Sequence, residues 1–232
     1  QGEVSHRYIL GLYEFMEKLT QAYPHILFES CSGGGGRYDA GMLYYMPQTW
    51  TSDNTDPIAR LKIQYSTSLV YPISTMGAHV SAIPNHQTGR ETSLDIRGNV
   101  AMSGVLGYEL DLTTLSEEEK VLIVKQVDFY KEHRQLLQFG DFVRLKSPYE
   151  ENEVAWMFVS KDKKEAIVFY FRVLVEASAP YVTLKLAHLD ETLEYQIANH
   201  VISGDALMNI GMYIDPKLHG DYATQSFILK AK

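Results

Sequence analysis

Gln48-Thr49-Trp50-Thr51-Ser52-Asp53-Asn54-Thr55-Asp56-Pro57 contains the turn on which the fold depends. Thr49–Ser52 reads as a short strand. Asp56 followed by Pro57 is a helix N-cap followed by proline at the first helical position. The helix predicted from there runs to about Val70, before Tyr71-Pro72. A strand passing within a few residues into a capped helix is the elementary step of a βα fold.

The same step recurs on both sides. Upstream, residues 5–23 read as a helix, with Ser5 as N-cap and Ile9, Leu12, Tyr13, Met16 and Leu19 on one face. Pro24 ends it. Ile26-Leu27-Phe28 reads as a strand buried on both faces, and a glycine loop follows at Gly33–Gly36. Downstream come a strand at Ser74–Val80, a polar loop through Pro84 and Gly89, a helix near Ser93–Met102 and a strand at Val105–Leu110. Ser116 and Glu119 then form a capping box, opening a helix to about Leu137.

After residue 140 the pattern changes. Val154–Val159, Ala166–Val175, Val182–Leu186, Glu194–Ile197 and Ser226–Leu229 are β-rich runs broken by turns such as Lys161-Asp162-Lys163. No long helical period intervenes, which predicts a small antiparallel β-sandwich over 140–232, with the boundary near Gly140. The four βα units of residues 1–139 are too few to close a parallel barrel, which needs eight. They form either a small open sheet or part of a barrel whose other units lie upstream. The first residue, Gln1, favours the second reading.

Composition narrows the function. The chain has 232 residues, 45% of them hydrophobic, and a net charge of −8, which disfavours nucleic acid and anionic membranes as partners. The single cysteine, Cys31, cannot form an internal disulfide, so the expected compartment is cytoplasmic. No apolar run reaches membrane-spanning length. The 16 tyrosines suit either ordinary core and interface packing or a sugar-stacking surface.

In βα folds the loops at the C-terminal ends of the strands build the site. One such loop is Glu29-Ser30-Cys31-Ser32-Gly33-Gly34-Gly35-Gly36-Arg37. Its glycines permit close approach of a ligand to the backbone, or form a plain flexible loop. No phosphate-binding motif is present. Cys31 is a buried inert thiol or a site residue; as a nucleophile it would need a nearby base, and His25 lies at the far end of the same strand. The other loop holds Asp53 and Asp56. Asp56 is the helix cap. Asp53, beside Trp50, is either a solvated loop aspartate or a carboxyl desolvated by the aromatic wall and suited to general acid work. His79 and His86 offer no metal-ligand spacing; His79, near a strand end, would instead line a pocket. Glu117-Glu118-Glu119 reads as charge favoured at a helix start.

Taken together, Leu27-Phe28-Glu29-Ser30-Cys31-Ser32-Gly33-Gly34-Gly35-Gly36-Arg37-Tyr38-Asp39, Gln48 to Asp56, Gly77-Ala78-His79-Val80-Ser81 with Pro84-Asn85-His86, and Leu106-Gly107-Tyr108-Glu109-Leu110-Asp111 resemble the family-36 α-galactosidases in order and spacing. The resemblance continues through Gln138-Phe139-Gly140-Asp141 and Ala155-Trp156-Met157-Phe158-Val159. It implies an α/β plus all-β chain: the second half of a (β/α)8 TIM barrel, strands five to eight, followed by a C-terminal antiparallel β-sandwich. It places the acid/base on Asp53 and galactose contacts on Cys31, Ser32, Gly33 and Gly34, with Trp50 as a pocket wall. It implies α-1,6-galactosides such as melibiose and raffinose as substrates, no metal or organic cofactor, and a homo-oligomer, tetrameric at full length. The family nucleophile lies in a Lys-Trp-Asp motif that does not occur here and is expected upstream, so the fragment alone is expected to be inactive. Two other readings are a galactosyltransferase of the raffinose-synthase type and a non-catalytic carbohydrate-binding or assembly fragment.

Overall fold

The computed structural model describes residues 2–178 and 180–232. Its first part alternates helices with short parallel strands. Helix α1 (Gly2–Ala22) leads to strand β1 (Glu29–Ser30), then α2 (Ala40–Tyr45), β2 (Gln48–Trp50), α3 (Pro57–Thr67), β3 (Met76–Ser81), α4 (Leu94–Met102), β4 (Val105–Glu109) and α5 (Glu117–Phe139). The four strands form one parallel sheet in the order β1-β2-β3-β4. The register sets Ser30 beside Thr49, Trp50 beside Gly77, and His79 beside Gly107.

Local chemistry sets the helix starts. The Asp56 carboxylate accepts from Ala59 N at 3.0 Å, with Pro57 in the first turn. Ser116 and Glu119 close a reciprocal capping box, and the three glutamates of the first turn face the positive end of the helix dipole. Asp39 caps α2, a helix too short to announce itself by periodicity.

The second part is a six-stranded antiparallel sheet in the order β10-β9-β12-β7-β6-β5. Its strands are β5 (Asp141–Lys146), β6 (Glu153–Val159), β7 (Glu165–Arg172), β9 (Glu194–Ile197), β10 (His200–Ser203) and β12 (Ala223–Ala231). A two-stranded pair, β8 (Thr183–Leu184) with β11 (Met212–Tyr213), and the short helix α6 (Gly204–Asn209) complete it.

Strands β6 and β7 are buried on both faces, with alternate residues serving different cores. Trp156, Phe158, Phe169 and Phe171 join Leu61, Ile96, Leu137 and other residues of the βα part. Met157, Val168 and Tyr170 join Leu184, Leu189, Tyr195 and Leu207 on the other side. Each such large apolar side chain contributes about 1.5–3 kcal/mol on burial. Trp156 also donates from Nε1 to Ser103 Oγ at 2.8 Å, tying the sheet to the end of α4.

Several expectations need correction. Ile26-Leu27-Phe28 is not a strand buried on both faces: Ile26 is 54% exposed, Leu27 72%, and the ladder holds only Glu29–Ser30. The reason is positional, since β1 is the end strand of the sheet with a neighbour on one side only. The apolar face expected for α1 buries only Met16. Strand β7 stops at Arg172, short of Val175, and the Ser226–Leu229 strand is longer than expected.

Candidate active site

The C-terminal ends of β1 to β4 bring four loops to one rim. After β1, the loop 31–36 folds back on itself, with Ser32 N donating to Gly34 O at 3.0 Å. Gly34 has φ +76°, and a Cβ there would come within 2.8 Å of Ser52 Cα, so only glycine fits. The glycine loop is therefore seated directly on the segment after β2 that carries Asp53. Ser32 is half-buried and Cys31 is exposed, not the buried thiol that was one reading of it.

Asp53 is exposed, and its carboxylate accepts from Trp50 Nε1 at 3.1 Å. The expected proximity of the two is present, but the indole approaches Asp53 through its N–H and does not enclose the carboxyl. Two groups pack on the Trp50 ring. The His79 ring stacks on it with centroids 4.2 Å apart and 22° between planes, and the Arg60 guanidinium lies 5.0 Å from the ring. Nδ1 of His79 lies 3.2 Å from Glu109 Oε2, so the imidazole N–H donates to that carboxylate. Glu29 accepts from the Gln48 side-chain amide.

Arg60, on α3, is buried and reaches Gly77 O at 2.6 Å, Ser52 O at 3.3 Å and Gln64 Oε1 at 3.2 Å. Burial pulls its guanidinium pKa down to about 10, with the Glu109 charge opposing. It remains a cation at neutral pH, set beneath Trp50 and the Asp53 loop. Glu109, Glu29 and Arg60 were not singled out from the sequence. Their partners lie up to 30 residues away, and the strand register together with the packing of α3 brings them to the site.

Asp56 is a separate structural group. It is fully buried, caps α3, and pairs with Arg90, whose guanidinium lies 5.2 Å from the Tyr222 ring. Arg90→Ala leaves this buried carboxylate uncompensated, which is expected to cost about 3 kcal/mol. Asp56→Ala removes a cap worth about 0.5–2 kcal/mol but frees an arginine that can reach water. Denaturant midpoints of the two variants check the order: Arg90→Ala should unfold first.

Cavities elsewhere have other surroundings. A cavity of about 630 Å³ lies beside the antiparallel sheet, lined by residues such as Lys62, Tyr149, Glu151 and Arg172. Among the described residues, no helix is long and apolar enough to cross a membrane.

Residues 1–140 match the family model described as Melibiase, and residues 153–229 match the glycosyl hydrolase family 36 C-terminal domain. The chain is 61% identical over 232 residues to alpha-galactosidase AgaA of Geobacillus stearothermophilus, and 60% identical over 233 residues to alpha-galactosidase 1 of Pediococcus pentosaceus. In both cases all of this chain is covered, but only 32% of the relative. A solved structure of a GH36 alpha-galactosidase AgaA variant from Geobacillus stearothermophilus in complex with raffinose superposes with a TM-score of 0.98 at 60% identity, covering 100% of this chain and 32% of that one. Another AgaA variant, in complex with stachyose, gives 0.97 at 61% identity, again covering 100% and 32%. With the family model matching its first 140 residues, this chain belongs to the melibiase family of glycosyl hydrolases.

Proposed function

We propose that the chain is the C-terminal portion of a retaining α-galactosidase that hydrolyses terminal α-1,6-galactosides of the melibiose and raffinose type. Residues 1–139 are then the second half of a (β/α)8 barrel, and residues 140–232 a C-terminal β-sandwich. The observation that carries this reading is the joining of two loops at adjacent strand ends. The glycine loop after β1 is seated on the segment after β2, and Asp53 is held at that junction by the Trp50 N–H.

In this reading Asp53 is the acid/base. A nucleophilic aspartate, supplied by a part of the protein outside these residues, attacks the anomeric carbon. Protonated Asp53 gives its proton to the departing oxygen, and the Asp53 carboxylate then takes a proton from the water that releases galactose. The two carboxyls stand about 5–5.5 Å apart in this geometry. Cys31, Ser32, Gly33 and Gly34 contact the sugar near its 2-hydroxyl, where hydrogen bonds strengthen in the transition state. Trp50 forms a wall of the pocket. No step calls for a metal or an organic cofactor. The single cysteine supports a cytoplasmic setting, and the assembly we propose for the whole enzyme is a homo-oligomer, a tetramer.

Proton NMR of the first turnovers on raffinose tests the reading. The first galactose released should be the α-anomer; first release of the β-anomer would show inversion and remove Asp53 from this role.

A further inference from the structure

The Asp53 side chain is exposed, and its carboxylate accepts a hydrogen bond from Trp50 Nε1. The position of the carboxylate is therefore as good as the position of the indole. The indole in turn packs against two groups delivered by other elements, Arg60 from α3 and His79 from β3.

His79 is placed from the next strand again. It sits opposite Gly107 in the β3–β4 register. A Cβ at Gly107 would fall 2.5 Å from His79 Cδ2, so the glycine leaves the space in which the imidazole lies across β4. Glu109, two residues on, takes the imidazole N–H at 3.2 Å and fixes the rotation of the ring. The result is a continuous run of contacts across three strand ends: Glu109 to His79, His79 stacked on Trp50, Trp50 to Asp53.

We propose that His79 and Glu109 are positioning residues for Asp53, acting through the Trp50 indole. The proposal rests on the reading of Asp53 as the acid/base. Neither residue donates a proton to the substrate. Their work is to keep the indole N–H aimed, so that the carboxyl stays aligned with the leaving oxygen. Loss of that alignment harms a reaction in proportion to its need for protonation.

The test is kcat/KM for the full-length protein on 2,4-dinitrophenyl, 4-nitrophenyl and phenyl α-galactosides and on raffinose, for His79→Ala, His79→Phe, Glu109→Ala, Asp53→Ala and the double variant His79→Ala with Asp53→Ala. His79→Ala should lower kcat/KM on the phenyl galactoside and raffinose by about 10- to 100-fold, the scale of a misplaced catalytic group. The dinitrophenyl substrate, which leaves without help, should change by less than about 3-fold. His79→Phe keeps a flat ring against the indole and should recover most of the loss. Glu109→Ala should show the same dependence in milder form, and gives the comparison if His79→Ala is recovered poorly folded. On the Asp53→Ala background, His79→Ala should add little, because both act on one step. A loss that is uniform across leaving groups, or that multiplies fully with Asp53→Ala, overturns the proposal and assigns His79 to the sugar pocket. If Asp53→Ala shows the leaving-group dependence and His79→Ala does not, only this proposal falls. If Asp53→Ala shows none, the acid/base reading falls and the proposal with it.

Discussion

Asp53→Ala in the full-length protein is expected to lower kcat/KM on raffinose by about 100- to 10,000-fold, the usual contribution of a positioned general acid. The same change should spare a dinitrophenyl α-galactoside far more, since a phenolate of low pKa departs unprotonated. Asp53 is an exposed carboxylate at a strand end, oriented by one indole N–H and pressed against a glycine loop whose tight contact leaves room for backbone only. The neighbouring carboxylates are committed elsewhere: Asp56 to Arg90 and the start of α3, Glu109 to His79, Glu29 to Gln48. Loss of equal size on both substrates would mean that Asp53 serves binding or structure. Kinetics on the two substrates, with matched circular dichroism spectra, separate these outcomes.

A protein made of residues 1–232 alone is expected not to turn over α-galactosides. Retention needs two carboxyls across the scissile bond, and the carboxylates beside Asp53 are engaged: Asp56 by Arg90, Glu109 by His79 and Glu29 by the Gln48 amide. Proton transfer without the nucleophile contributes about 100- to 10,000-fold, far below the rate enhancement of a glycosidase. The sheet also presents an end strand at β1, and α1 and the segment after it expose Tyr8, Leu10, Phe15, Ile26 and Leu27. Such surface is expected to drive self-association when nothing covers it. An aryl α-galactoside assay, run beside light scattering, checks both parts. Robust hydrolysis by the isolated chain that survives Asp53→Ala would contradict the account.

What the sequence shows of this protein follows from how local each interaction is. Asp56-Pro57 and the Ser116–Glu119 box are completed within four residues, so their helices could be placed from the chain alone. The Trp50–Asp53 hydrogen bond spans three residues and was legible as a candidate pair. The His79–Glu109 contact spans 30, and depends on the β3–β4 register, which no periodicity reveals. Ile26-Leu27 misled for a related reason: an apolar run states what a segment would bury, while the neighbours decide whether it does so. Strand β5 was missed because Asp141, Arg144 and Lys146 dilute its apolar residues, although the ladder with β6 makes it a full member of the sheet. Of the two readings open for Asp53, a solvated loop aspartate or a carboxyl walled by the tryptophan, this structure shows an exposed side chain met by the N–H edge of the indole.

The central claim is that these residues supply the acid/base of a retaining α-galactosidase while its nucleophile lies elsewhere in the protein. The most direct measurement is to trap the glycosyl-enzyme with a 5-fluoro-α-galactosyl fluoride and map the labelled peptide by mass spectrometry. The account predicts a labelled aspartate outside residues 1–232, with Asp53 and Cys31 unmodified. A label on Asp53, on Cys31 or on any other residue of this chain would contradict it.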